Sequence, residues 1–120
     1  MPRELTILSR KAPSVADLRA AAAAAGIAGA TVARVRDGAM DIIRDADGWP
    51  VLTLTYTRLI AVAAEVQRLA PAAAEALPGP VYWTEGWARL DRDGEAAEAV
   101  ALAIAHRCDG VCVRGDGALA

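Results

Sequence analysis

Residues 31–56 read TVARVRDGAMDIIRDADGWPVLTLTY, and this stretch decides the fold. Three runs rich in β-branched and apolar residues, 31–36, 40–44 and 51–56, are separated by Asp37-Gly38 and by Asp45-Ala46-Asp47-Gly48. Asp-Gly supplies the positive φ that tight turns need, so short runs broken in this way predict a three-stranded antiparallel meander. In the third run Leu52, Leu54 and Tyr56 alternate with Val51, Thr53 and Thr55. That two-residue period belongs to a strand with one buried face.

Upstream of the meander, residues 5–8 form a short apolar run that predicts a strand. Ser14-Val15-Ala16-Asp17 has the form of a capping box with Asp in place of Glu, which starts a helix over residues 15–25 that Gly26 stops. The body of that helix is nearly all Ala, a strong helix former but a shallow packer, so it should lie close against a sheet.

Downstream, Leu59, Val62, Ala63, Val66 and Leu69 fall on one face of a helix predicted over residues 57–70. Pro71 interrupts it, residues 72–77 add a further helical turn or two, and Pro78-Gly79-Pro80 is a stop. Residues 81–84 predict a strand, with 87–90 either continuing it across Gly86 or pairing with it. After Asp91-Arg92-Asp93-Gly94 a last helix covers residues 95–107, with Ala97, Val100, Ala101 and Ile104 on one face. Asp109-Gly110 ends it and residues 111–113 make a final strand. The order β-α-β-β-β-α-β-α-β predicts an α+β fold: a single, mainly antiparallel sheet with helices packed chiefly on one face. Residues 1–120 are expected to form a single compact domain, with a loose tail from about residue 115.

Composition limits the core and the partners. The chain of 120 residues holds 30 Ala and no Phe, so its core must be built from Leu, Val, Ile and Ala with a few Trp and Tyr. Such a chain is neither a disordered tail nor a disulfide scaffold. Thirteen basic residues against 15 acidic ones leave a net charge of −2, and 12 of the 13 are Arg. Arg in place of Lys within an Ala-rich composition points to a GC-rich, bacterial genome. The basic residues are scattered without a run of three, which argues against a nucleic-acid partner. No charge-free apolar stretch reaches the roughly 18 residues of a membrane span. Met1-Pro2-Arg3-Glu4 leads into a strand rather than an apolar signal core, and Cys108 and Cys112 make no framework for an exported fold. A cytoplasmic location is the expectation.

The residue types of most catalytic sites are scarce. His106 is the one imidazole, and Ser9 and Ser14 are the serines, of which Ser14 is explained as a helix cap. On a helix His106 and Cys108 point away from each other. His106, Cys108 and Cys112 lack the second ligand pair of a zinc site, and Asp45-Ala46-Asp47-Gly48 and Asp91-Arg92-Asp93-Gly94 lack the remaining ligands of a calcium loop. Gly26-Ile27-Ala28-Gly29 follows a helix and Arg114-Gly115-Asp116-Gly117 starts none, so neither is a phosphate loop. No catalytic residue, metal or cofactor is expected. Asp41, Glu85, Asp91 and Asp93 read as solvated turn and edge charges unless the fold gathers them.

The aromatic residues carry more information. Trp49 precedes Pro50 at a turn, and Trp83 and Trp87, four apart, fall on one face if the strand is continuous. Core packing and an exposed anchor patch are both open to them, since Trp is large, apolar and enriched in interface hot spots. The candidate partner contacts are Trp49, Trp83, Trp87, Tyr82, Asp91 and Asp93.

The segment Trp87-Ala-Arg-Leu-Asp-Arg-Asp-Gly94, the Ala-rich helix to His106 and the closing Cys108-Asp-Gly-Val-Cys-Val113 together resemble the end of many small bacterial immunity proteins. The resemblance spans residues 87–113 and is one of pattern. It implies a cytoplasmic, mildly acidic inhibitor that occludes the active site of a cognate toxin and performs no chemistry. The leading expectation is therefore a non-enzymatic protein-binding domain. An alternative is a small-molecule-binding or accessory enzyme domain, with Tyr56, Tyr82, Asp41 or Glu85 in a pocket between sheet and helices. A third is a homo-oligomer formed through the edge of the final strand.

Overall fold

The computed structural model describes residues 3–55, 57–88 and 94–120. Its strands are β1 (Arg3–Ser9), β2 (Thr31–Val35), β3 (Met40–Arg44), β4 (Pro50–Thr55), β5 (Arg58–Ile60), β6 (Val81–Ala88) and β7 (Gly110–Arg114). Its helices are α1 (Val15–Ala24), α2 (Ala63–Leu69), α3 (Pro71–Ala76) and α4 (Gly94–Arg107). The strands form one antiparallel sheet in the order β2-β3-β4-β6-β1-β7, with β5 also on β6. The fold is α+β, and the meander β2-β3-β4 stands where the turn signals placed it.

Strand β6 organises the sheet. One of its edges pairs with β1 from Arg3↔Ala88 to Ser9↔Tyr82. Its other edge is shared: β4 takes Trp87 and Gly86, and β5 takes Trp83, Tyr82 and Val81. Four residue steps from Leu54 to Arg58 face three from Gly86 to Trp83, so the β4–β5 connection carries one extra residue and the pairing re-forms beyond it. Threonine hydroxyls bridge the break: Thr55 Oγ1 donates to the Glu85 carbonyl at 3.2 Å, and Thr57 Oγ1 lies 2.7 Å from Thr84 Oγ1.

The two faces are covered unequally. On one, Leu5, Ile7, Ile43, Leu52 and Leu54 of the sheet pack against Leu18, Ala21 and Ala22 of α1 and Ala97, Val100, Ala101 and Ile104 of α4. The small alanine side chains let both helices settle close to the strands. Helix α1 begins with the capping box read from the sequence: Ser14 Oγ accepts from the Asp17 N–H at 3.1 Å, and Asp17 accepts from the Ser14 N–H at 2.9 Å. Asp17 also accepts from Arg107 Nε at 2.9 Å, joining the start of α1 to the end of α4. The backbone N–H of Ser14, with Arg107 adding, holds the Asp17 carboxyl below its ordinary range. On the opposite face, Val66, Ala70 and Ala73 cover only Leu8, Val81, Trp83 and Val113.

The helix expected over residues 57–70 is shorter than its apolar periodicity suggested. Arg58–Ile60 is a strand, and helix begins only at Ala63. Pairing with β6 satisfies the backbone of this segment, which a helix could not do without leaving the Val81–Trp83 edge open. The apolar stripe consequently does not form a buried face: Val66 is buried, but Leu59, Val62 and Leu69 are exposed. The continuation of the 81–84 strand across Gly86 holds, and β6 runs unbroken to Ala88. At the other end of the sheet the chain turns back along β7: Ala120 N–H donates to Cys112 O at 2.9 Å and Leu119 bridges Val113.

Two glycines are required by contact rather than by φ. A Cβ on Gly110 would collide with Leu8 O and approach Ser9 Cα at 2.7 Å, both backbone atoms of β1. A Cβ on Gly86 would meet Leu54 Cδ2 at 2.8 Å, a side-chain end that can move. Overpacking costs roughly 1–3 kcal/mol. Gly110→Ala is expected at or beyond the top of that range and Gly86→Ala near the bottom, as read by urea unfolding at equal m-value. Ser14→Ala should cost about 1 kcal/mol through loss of the cap.

Candidate functional site

Because cross-strand partners point to the same side of a sheet, the register defines which side chains the short helices leave uncovered. One row runs across four pairings, Glu4↔Trp87↔Thr53↔Ile42↔Ala33. The neighbouring row holds Thr6 opposite Glu85, and Thr55 opposite Met40 opposite Val35. The apolar members of both rows, Trp87, Ile42, Ala33, Met40 and Val35, are half-buried. Helices α2 and α3 cover the β5-β6-β7 corner of this face, and α1 and α4 lie on the other side. Among the described residues, none of the helices covers the β2-β3-β4 half of this face, which presents a mildly apolar surface with Trp87 and the Glu4 carboxylate at its inner border. A groove of about 380 Å³ opens there, lined by Glu4, Leu5, Thr6, Glu85, Gly86 and Trp87.

The structure separates the expected contact residues. Trp83 and Trp87 share a face, as their spacing required, but α2 and α3 bury Trp83 to 9% exposure while Trp87 stays half-exposed. Trp83 Nε1 donates to Glu85 Oε1 at 3.1 Å, and the Arg58 guanidinium lies 6.0 Å from its ring centroid and 3.7 Å from Glu85. Tyr82 is half-buried on the opposite side, in register with Ser9 and Leu59. Trp49 is half-buried in the turn between β3 and β4, where its backbone N–H donates to Asp45 Oδ1 at 3.0 Å. Asp91, Asp93 and Tyr56 lie outside the described residues.

Glu4, Thr6, Thr53 and Ile42 were not singled out by sequence. The signal was present, since each alternates with buried neighbours: Glu4 and Thr6 with Leu5 and Ile7, Thr53 with Leu52 and Leu54. What was missing was the register that sets them beside Trp87.

The other ionic groups serve structure. Arg34 grips Asp41 through two bonds, 2.9 Å from Nε and 3.1 Å from Nη2, and pins β2 to β3. Glu98 accepts from Arg3 at 3.3 Å and from Arg114 at 2.8 Å, tying α4 to β1 and β7. Among the described residues no three His, Cys, Asp or Glu side chains are grouped as a metal site, and no helix is long and apolar enough to cross a membrane.

Both cysteines are free of any disulfide and buried. Burial, with the Asp17 carboxylate adding, pushes the Cys108 thiol up from 9.0 to about 11. Burial, with Glu98 adding, pushes Cys112 up to about 12. The thiolate is the nucleophile, so neither group is an activated cysteine. A thiol whose folded-state pKa exceeds its unfolded value favours the fold while protonated. That contribution is complete below the ordinary value of 9.0 and is lost as pH rises toward 11 and 12. Both thiols should react with a disulfide reagent at pH 8 only after denaturant is added, and stability by urea titration should fall between pH 9 and 11. Rapid labelling of the native protein would show that the cysteines are accessible.

Compared with known protein families, with curated proteins and with solved structures, the chain shows no match.

Proposed function

We propose that this chain is a non-enzymatic protein-binding domain whose contact surface is the open half of its sheet, centred on Trp87. The observation that carries this reading is the unequal covering of that face. The same strand buries Trp83 under α2 and α3 and leaves Trp87, four residues on, half-exposed beside Thr53 and Ile42. A half-exposed Trp on a rigid central strand is a suitable hot spot, because the scaffold has already ordered the side chain before a partner arrives. Around it lie threonines and aliphatic side chains with a charged border, the mixture found where an apolar contact core meets a polar rim.

The specific form of the proposal is a bacterial, cytoplasmic immunity protein that occludes the active site of a cognate toxin. The resemblance of residues 87–113 to such proteins supports it, as does the mild net negative charge. The pocket alternative has less support, because the groove at Glu85 opens on the outer side of the sheet rather than between sheet and helices.

Native mass spectrometry of tagged protein recovered gently from its own host tests this. A stoichiometric complex with one larger polypeptide is expected. Trp87→Ala should weaken it at least about 30-fold, the effect of a 2 kcal/mol hot spot, and lower the unfolding midpoint less than Trp83→Ala does. Trp83→Ala should instead destabilise the fold by about 3 kcal/mol. A bare monomer, or a symmetric oligomer carrying a small-molecule mass, would overturn the proposal.

A further inference from the structure

The geometry points to a definite chemistry at the border of this surface: we infer that Trp87, Glu4 and Glu85 receive an arginine side chain of the partner protein. The inference rests on the protein-binding reading above and names what that site recognises.

The chain contains its own example of the arrangement. Four residues from Trp87 along β6, Arg58 lies over the Trp83 ring at 6.0 Å with its guanidinium 3.7 Å from Glu85, so an indole and a carboxylate hold one cation between them. Trp87 repeats the first half of that arrangement. It points to the same side of β6 as Trp83, stands two residues from Glu85 on the same strand, and is directly opposite Glu4 on β1. Glu4 and Glu85 both line the groove beside the indole. Among the described residues, no cation lies over Trp87 and the Glu4 carboxylate takes part in no hydrogen bond or ion pair.

Charge and shape agree with an arginine. Among the described residues, the groove wall carries two carboxylates and no basic side chain. A planar guanidinium can stack on an indole face while its edge donates to a carboxylate, a geometry that a lysine ammonium matches less well. The neighbouring Thr6 offers a hydroxyl at the groove floor. Glu85 is already shared with Trp83 Nε1 and Arg58, which leaves Glu4 as the main ionic contact for an incoming group.

The test uses the full chain labelled with nitrogen-15, whose three indole N–H signals are assigned with Trp49→Phe, Trp83→Phe and Trp87→Phe. The probe is N-acetyl-arginine amide, and the control is the neutral isostere N-acetyl-citrulline amide. The arginine probe should shift the Trp87 indole signal and the Glu4 and Glu85 amides, and the citrulline probe should shift them much less. Glu4→Gln should weaken binding by up to about fivefold, as for an exposed ion pair, and Trp87→Leu by a similar factor. Glu4 is exposed, so Glu4→Gln leaves the fold intact and its unfolding midpoint serves as the control. Equal shifts from both probes, shifts confined to other residues, or no effect of Glu4→Gln would overturn the arginine inference. The two readings fail differently. A complex lost with Trp87→Ala but untouched by Glu4→Gln keeps the binding surface and removes the arginine. A complex indifferent to Trp87→Ala removes the surface itself.

Discussion

The structure depends on the pairing of β6 along both edges. This strand is packed on one face along its length and on the other only at its Val81–Trp83 end, so each of its residues answers to a different neighbour. Gly86 leaves room for Leu54 beneath α4, Trp83 fills the corner under α2 and α3, and Thr84 takes the hydroxyl of Thr57. A strand paired along both edges is also a rigid place to mount a side chain. Trp87 inherits that rigidity without being enclosed.

The inequality between the two helical layers follows from length. Helices α1 and α4, with 10 and 14 residues, span enough of the sheet to cover strands β3, β4, β6, β1 and β7 on their side. Helices α2 and α3, with 7 and 6 residues, cannot reach past β6. An α-helix advances 1.5 Å per residue, so each short helix is only about 10 Å long, roughly two interstrand spacings. The half of the face that the helices leave uncovered is thus a geometric consequence of a break at Pro71 and a strand at Arg58–Ile60.

The ionic groups divide along the same line. Arg34 with Asp41, Arg107 with Asp17, and Arg3 and Arg114 with Glu98 each join two elements across the fold. Partly exposed pairs of this kind are individually weak, and their value here is in holding orientation. Glu4 belongs to none of them, although it sits beside Arg3 in sequence, because alternation along β1 sends the two side chains to opposite faces.

Most of the architecture was legible from local chemistry. The Asp-Gly breaks, the two-residue alternation in β4, the Ser14–Asp17 cap and the shared face of Trp83 and Trp87 depend on backbone preferences and spacing, which operate within a few residues. The 58–60 strand was not legible. Leu59, Val62, Val66 and Leu69 satisfy a helical period as written, and only the free edge of a strand more than 20 residues away makes extension the better solution. The candidate site was legible only in part. Its Trp stood out by type, whereas Glu4, Thr53 and Ile42 are ordinary outward residues until register sets them beside it. Sequence by itself determined most of the elements and the sidedness of the strands it revealed, because those are short-range properties of the chain. Which strand lies beside which, and how far each helix reaches over the sheet, were decided by tertiary packing, and these decide which Trp is core and which is surface.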